Sequence, residues 1–131
     1  MKILVIYTVQ DLDDTRGGVS IRLRILSEYE PRTVKTKDGK EHSVVDLMAG
    51  DRTGTVTLNL WDERIHDVVT GDIVDLENAY VNRFKGRLRL NIGKYGTIEK
   101  VQDEGFPSVD ELSKLRRRRY RRQKTGYAGQ V

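Results

Sequence analysis

The only tryptophan of the chain, Trp61, ends an alternating segment of residues 55–61 (TVTLNLW). Successive side chains of a strand point to opposite faces. The apolar members of the segment therefore share one face: Val56, Leu58 and Leu60. Trp61 lies with Thr57 and Asn59 on the other, polar face. A large ring displayed there is typical of a platform on which nucleic-acid bases stack, although a ring that caps a barrel end or packs under a loop gives the same pattern.

The length of 131 residues predicts one domain with a sizeable core. Without cysteine, neither a disulfide framework nor a thiolate metal site is possible. His42 and His66 lie apart in polar segments, so we expect no metal site, no cofactor and no histidine-based catalysis. The apolar run at residues 3–7 is too short for a signal peptide or a membrane span. We therefore expect a cytoplasmic protein with no membrane contact. If it binds DNA, we expect it to be nucleoid-associated, and we expect no small-molecule substrate.

Positive charge is concentrated near the end of the chain. Residues 114–124 (KLRRRRYRRQK) hold eight of the 24 lysines and arginines and no acid, which leaves 16 positive against 20 negative charges elsewhere. The rest of the chain is therefore acidic overall. To bind nucleic acid it needs a localised basic groove, to which the basic segment adds non-specific attraction.

Hydrophobic alternation predicts five strands. They span residues 19–25, 42–49, 55–61, 73–82 and 88–92, and extended character continues from the first strand to residue 36. In the fourth strand Val74 and Leu76 have the opposite parity to Ala79 and Val81, which predicts a bulge near Asn78. Residues 1–8 form either an extra edge strand or an unstructured start.

The polar residues 62–69 predict a short helix between the third and fourth strands. Five strands with a helix at that place predict an all-β OB-fold barrel, whereas SH3-like barrels usually lack this helix. We assign residues 1–102 to this domain. The composition changes beyond residue 102 and predicts a flexible, disordered, arginine-rich tail over residues 103–131.

An OB-fold binds its ligand on the second and third strands, between the loops that join strands one to two and four to five. Here these loops are residues 36–41 and 82–86, and basic and aromatic residues surround both. The residues concerned are Lys35, Lys37, Lys40, Tyr80, Arg83, Phe84, Lys85, Arg87 and Arg89. Cations follow phosphates and rings stack on bases, so this composition suits single-strand binding. A Phe84 that plugs the barrel and ordinary solvated charges are the alternative interpretation.

The run GDRTG at residues 50–54, followed by VTLNLW at 56–61, is similar to the archaeal single-stranded DNA-binding proteins with one OB-fold, a replication protein A-like family. The resemblance covers about residues 9–108. It continues in RTVKTKDG at 32–39, GD at 71–72, ENAY at 77–80, FKGRLRLNIG at 84–93 and DEGFP at 103–107.

The resemblance implies non-catalytic binding of single-stranded DNA, with some RNA binding and without strong sequence preference, in replication, recombination and repair. The stacking aromatics of the family fall on Trp61, Tyr80 and Phe84. Its remaining contacts fall on Arg32, Val34, Thr36, Lys37, Arg87 and Arg89.

The chain departs from the family at three places. Tyr80 stands where some relatives carry tryptophan, and Asn91 stands where some carry an aromatic residue. Relatives often end in a Gly-rich linker with an acidic tip that recruits partner proteins, whereas this chain has its arginine run. We therefore expect the tail to contact nucleic acid itself or to bind acidic proteins. Replication or repair proteins are separate expected partners of the chain.

Other functions fit the same residues less well. An RNA-binding module of translation or RNA processing would use the same barrel and tail, because stacking and phosphate contacts serve both nucleic acids. A protein-binding adaptor would not need three exposed aromatics beside basic loops. An enzyme is the weakest alternative, because the acidic residues are predicted in turns and at strand ends.

Overall fold

The computed structural model describes residues 6–12 and 17–128, and its described part is a single sheet followed by a helix. The strands are β1 (Ile6–Tyr7), β2 (Val19–Glu28), β3 (Arg32–Lys35), β4 (Glu41–Asp51), β5 (Gly54–Trp61), β6 (Ile73–Phe84) and β7 (Arg87–Val101). The helix α1 (Val109–Ala128) follows the last strand, and two short 3-10 helices lie at Val9–Asp11 and Asp62–His66. No helix in the described ranges is long and apolar enough to cross a membrane.

Five of these strands pair in a closed ring. β2 pairs antiparallel with both β4 and β6, β6 pairs antiparallel with β7, β7 pairs parallel with β5, and β5 pairs antiparallel with β4. The two short strands extend this ring, since β1 lies parallel to β2 and β3 lies antiparallel to β4. Residues 1–5 lie outside the described residues, so the expectation for the start of the chain is answered only at Ile6 and Tyr7, which form an edge strand.

The inward faces of the ring meet in one hydrophobic core. The register places Leu58 of β5 opposite Leu47 of β4 and Leu90 of β7, and all three are at most 1% exposed. Val56 and Leu60 are buried with Leu58, as their alternation predicted. The alternation of β5 therefore assigns its two faces correctly, and Thr57, Asn59 and Trp61 lie on the other face.

The predicted bulge in the fourth strand is confirmed. The register between β6 and β7 breaks between Glu77 and Ala79, and Asn78 has a φ of 55°. Asparagine tolerates this left-handed conformation better than most residues. The break switches the parity of β6, so that Val74 and Val81 are both buried although they lie on opposite parities of the sequence.

The predicted loop at residues 82–86 is much shorter in the structure. β6 continues to Phe84 and β7 begins at Arg87, so only Lys85 and Gly86 form the turn, with φ values of 51° and 79°. Positive φ at both central residues is the type I′ geometry that matches the twist of a hairpin. The sequence did not predict this two-residue turn, because Lys-Gly stands where such a turn usually has Asn-Gly or Asp-Gly.

The prediction of a helix between the third and fourth strands of the barrel was wrong. That connection contains only the five-residue 3-10 helix Asp62–His66, and the α-helix lies after β7. The prediction of a flexible tail was also wrong over residues 109–128, which form α1, while residues 129–131 lie outside the described residues.

A local signal accounts for the start of α1. The hydroxyl of Ser108 accepts a hydrogen bond from the Glu111 N–H (3.1 Å), and the Glu111 carboxylate accepts one from the Ser108 N–H (3.4 Å). This reciprocal capping box satisfies donors that a helix start otherwise leaves unpaired. One turn further on, Leu112 is only 1% exposed and anchors the helix, which packs against β2.

The segment between β7 and α1 is tied to β2 by two arginines. The guanidinium of Arg22 bridges Asp75 (2.6 Å) and Asp103 (2.9 Å), while that of Arg24 donates to the carbonyl oxygen of Pro107 (2.9 Å). The two carboxylates hold the pKa of Arg22 above its ordinary value. The domain boundary after residue 102 stays a prediction, and the structure binds residues 103–107 closely to the sheet.

Replacement of Asn78 by valine should lower the free energy of unfolding by about 1–2 kcal/mol, because a β-branched residue is strained at positive φ. Asn78→Gly is the matched control, since it loses the same side chain without the strain and should remain more stable than the valine variant. Urea unfolding of both variants measures the difference, and equal stability of the two would contradict the strained geometry.

Candidate functional site

A groove of about 470 Å³ opens on the outer face of the sheet between β3 and the β6–β7 hairpin. Five of the predicted site residues line it together with two others. The lining residues are Arg32, Asp46, Thr57, Phe84, Lys85, Arg87 and Arg89. We call this groove the cleft.

Strand register explains why these side chains converge. Across the outer face, one row of paired residues runs through four strands: Asp46 of β4, Asn59 of β5, Asn91 of β7 and Tyr80 of β6. The next row runs in the same order through Met48, Thr57, Arg89 and Asn82. The cleft is therefore specified by the same pairings that build the core.

Asp46 lies at the centre of the cleft. Its Oδ2 is 2.9 Å from Nη1 of Arg32, and its Oδ1 is 3.4 Å from Nη2 of Arg89. The amide of Asn59, which is 1% exposed, also donates a hydrogen bond to Oδ1. One carboxylate thus fixes two guanidinium groups from opposite sides and satisfies a buried amide.

Sequence reasoning missed Asp46 as a site residue, because it placed the acids in turns and at strand ends. The structure puts it in the middle of β4. The alternation of β4 could have indicated this position. Asp46 lies between the buried Val45 and Leu47, so its side chain projects from the same face as the residues of the cleft.

Phe84 is exposed at the rim of the cleft and does not plug the core. Its side chain is 52% exposed. The guanidinium carbon of Arg89 lies 4.6 Å from the ring centroid, and Nζ of Lys85 lies 5.4 Å from it. Both are cation–π distances. The arginine held by Asp46 therefore also supports one side of the Phe84 ring.

Trp61 lies on the same face but outside the lining of the cleft. It pairs with Val44, which in turn pairs with Arg32. Trp61 is half-buried, and its ring meets the ring of His42 edge-on, with centroids 5.7 Å apart and planes 64° apart. The tryptophan is thus held from one side and remains partly accessible from the other.

Asp62 fixes the His42 ring that contacts Trp61. Its Oδ2 lies 2.8 Å from Nδ1 of His42, and its Oδ1 accepts a hydrogen bond from the Ser43 N–H (3.0 Å). The hydrogen bond from His42, followed by that from Ser43, lowers the pKa of Asp62 from its ordinary value. Asp62 has a φ of 52°, which brings its carboxylate back onto β4.

Two other predicted site residues, Tyr80 and Arg83, do not line the cleft. Tyr80 is 42% exposed, and its ring lies 3.4 Å from where a Cβ at Gly93 would stand, so this glycine leaves room for the ring. Arg83 alternates with Tyr80 and Phe84 and so points to the opposite face. Its guanidinium donates to the Gly86 carbonyl within the hairpin turn (2.8 Å). The structure does not bring Arg83 to the cleft.

The β3 strand and the turn after it carry the other predicted contacts. Arg32 and Val34 share one parity and pair with Val44 and His42, which places them beside Trp61.

The turn after β3 contains Thr36 and Lys37. The Thr36 hydroxyl is held inside this turn by Asp38, and Lys37 is exposed there. The turn therefore adds exposed positive charge after β3 rather than a side chain in the cleft. Of the flanking lysines, Lys35 lies on the opposite parity of β3 and Lys40 is exposed at the end of the turn.

The family of the chain follows from comparison with known proteins. Residues 18–100 match the family model described as single-stranded DNA binding protein Ssb-like, OB fold. The chain belongs to this Ssb-like family. The matched residues run from β2 to β7 and include every residue that lines the cleft.

Two curated relatives agree with the Ssb-like assignment. The chain is 32% identical over 104 residues to the single-stranded DNA binding protein Ssb of Saccharolobus solfataricus, covering 79% of this chain and 70% of that protein. It is 32% identical over 115 residues to replication factor A of Methanothermobacter thermautotrophicus, covering 82% of this chain but only 14% of that larger protein.

Solved structures show the fold. The second OB-fold domain of replication protein A from Methanococcus maripaludis matches with a TM-score of 0.63 and 22% identity, covering 76% of this chain and 98% of that domain. The OB domain of a Thermoplasma acidophilum protein matches with a TM-score of 0.66 and 23% identity, covering 76% and 89%. The predicted OB-fold and the predicted family resemblance are thus confirmed.

Replacement of Asp46 by alanine should lower the free energy of unfolding by about 1–3 kcal/mol, because it leaves the buried amide of Asn59 without its acceptor. Asp67→Ala, at an exposed site, is the control and should change it by less than about 0.5 kcal/mol. Equal effects of both substitutions in urea unfolding would argue against the role of Asp46.

The lowered pKa of Asp62 predicts a pH dependence. A carboxylate whose pKa is lower in the folded than in the unfolded state adds stability above the unfolded value, and this is lost as the pH falls through the folded value. Below about pH 4 the wild type should therefore lose stability more steeply than Asp62→Asn, in which nothing titrates at residue 62 and asparagine tolerates the positive φ. Parallel pH profiles of urea unfolding would contradict this.

Proposed function

We propose that the chain binds single-stranded DNA without catalysis and without strong sequence preference, and that it protects or organises single strands during DNA replication, recombination and repair. The observation that carries the proposal is the Phe84 ring, exposed beside the guanidinium of Arg89 in a basic cleft. Membership of the Ssb-like family supports the same function.

The cleft suggests how a strand is oriented. Rings of nucleic-acid bases stack on exposed aromatic side chains, while phosphates follow cations. In the proposed arrangement, bases lie on Phe84, Tyr80 and Trp61, and the phosphates face the rim cations Lys85 and Arg87. The carboxylate of Asp46 already engages the guanidinium groups of Arg32 and Arg89, so these two arginines are less available to phosphate than Lys85 and Arg87.

Asp46 has a second role in this proposal. A guanidinium group that is already held by a carboxylate loses less conformational freedom when a ligand arrives, which improves affinity through pre-organisation. Arg89 is held on one side by Asp46 and on the other by the Phe84 ring. We therefore assign Arg89 to ring positioning and to hydrogen bonding with a base, and the exposed Arg87 to phosphate contact.

We propose residues 1–102 as the binding domain and expect replication or repair proteins among its partners. One relative is named replication factor A, and a solved structure of the same fold is that of a replication protein A heterotrimer bound to single-stranded DNA. The chain itself would act in the cytoplasm at the nucleoid.

Trp61→Ala and Phe84→Ala should each weaken binding to oligo-dT by about 1–3 kcal/mol, the usual contribution of one stacked base. Fluorescence anisotropy at a fixed salt concentration measures the effect. The matched control is Tyr120→Ala, which removes an exposed ring carried by α1 outside the cleft.

The control should bind oligo-dT as the wild type does. Competition with RNA and duplex of equal length then ranks the ligands. If both Trp61→Ala and Phe84→Ala retain wild-type affinity for oligo-dT and for RNA, these rings do not bind single strands and the proposed function fails.

A further inference from the structure

The helix α1 carries a second positively charged surface. Lys114, Arg117, Arg118 and Arg121 are spaced at i, i+3, i+4 and i+7 and line a shallow groove of about 210 Å³. Residues at this spacing share one face of a helix. We call these four residues the basic stripe.

The stripe points away from the body of the protein. Each residue of an α-helix turns the chain by about 100°, which places the centre of the stripe roughly opposite the buried Leu112. The docked side is held by Leu112, at 1% exposure, and by Arg119, whose guanidinium donates to the Arg52 carbonyl. The stripe is therefore presented to solvent on a helix of fixed orientation.

The charges of the stripe are largely uncompensated. Lys114 pairs with Asp110 at 3.1 Å. Within the part of the chain that the structure describes, no carboxylate lies within ion-pair distance of Arg117, Arg118 or Arg121, and all three are exposed. Like charges at i, i+3 and i+4 destabilise a helix, so a bound polyanion would relieve a repulsion that the fold leaves in place.

The stripe has no aromatic member. Tyr120 is exposed, but it precedes Arg121 by one residue and so lies about 100° around the helix axis from it. Without a stacking ring, the stripe offers phosphates only charge and guanidinium hydrogen bonds. Such a surface gains less from accessible bases than the cleft does, and it gains most from the polyanion of highest charge density, which is duplex DNA with one charge per about 1.7 Å of axis.

We propose that the basic stripe of α1 is a second nucleic-acid site that binds the phosphate backbone of duplex DNA. It goes beyond the proposed function of the cleft, because the cleft needs unpaired bases and the stripe does not. With both sites on one chain, the protein would bind most tightly where a single strand joins a duplex. The cleft would hold the strand and the stripe would hold the adjoining double helix.

The test is Arg117→Gln combined with Arg121→Gln in the full chain, since glutamine nearly matches arginine in helix propensity. Lys94→Gln combined with Lys100→Gln removes the same charge from the sheet and is the matched control. Fluorescence anisotropy with a blunt 20-base-pair duplex (about two helical turns) and with oligo-dT is measured from low to high salt. Circular dichroism confirms that α1 remains folded in each variant.

The helix variant should lose at least about tenfold in duplex affinity at low salt. Its log–log salt slope should fall by roughly 2, or about 0.9 for each phosphate that the variant no longer neutralises. The control should change neither quantity comparably, and binding of oligo-dT at high salt should be unaffected. Unchanged duplex affinity and slope in the helix variant would overturn the proposal and leave the stripe to an acidic protein. An equal decrease in the control would also overturn it.

The cleft variant Phe84→Ala separates this proposal from the proposed function. It should lose affinity for oligo-dT and keep wild-type affinity for the duplex. Failure of the wild type to bind oligo-dT would refute the proposed function, while the duplex measurement would still decide the role of the stripe.

Discussion

The parallel pairing of β5 with β7 connects the core to the candidate site. Only three residue pairs define its register: Thr57 with Arg89, Leu58 with Leu90, and Asn59 with Asn91. The middle pair points inward and is fully buried, while the outer pair Thr57 and Arg89 lines the cleft. A slip of one residue would send every side chain of β5 to the opposite face, so the same hydrophobic burial that closes the sheet also fixes the cleft.

The electrostatics of the cleft depend on a carboxylate that a basic binding surface would not be expected to contain. Asp46 reduces the net positive charge of the cleft, which weakens its long-range attraction for a polyanion. In return it holds Arg32 and Arg89 in place and satisfies the buried Asn59. Under the proposed function, the Arg89 guanidinium fixed against Phe84 would suit the cleft to short-range contact with bases more than to attraction of phosphates from a distance.

Sequence patterns predicted those features that depend on local alternation. The outward face of Trp61, the bulge at Asn78 and the number of strands in the ring all follow from parity along the chain. Asp46 was missed because its role depends on partners distant in sequence. Arg83 lies outside the cleft because it is held within a hairpin turn of unusual sequence. The helix α1 was missed for a different reason: repeated arginines suggested disorder, whereas the Ser108–Glu111 capping box and the buried Leu112 stabilise a helix despite charge repulsion.

The two positively charged surfaces differ in the distance over which they act. The residues outside 114–124 carry a net negative charge, so attraction of DNA at long range comes from α1. Charges on an exposed helix mainly raise association rates and salt dependence, whereas contacts that desolvate groups mainly slow dissociation. Under the proposed functions, the basic stripe would govern how fast the protein reaches DNA and how strongly salt opposes it. Stacking on Phe84 and Trp61 would govern how long a single strand stays bound, and this contribution would depend little on salt because stacking does not release counterions.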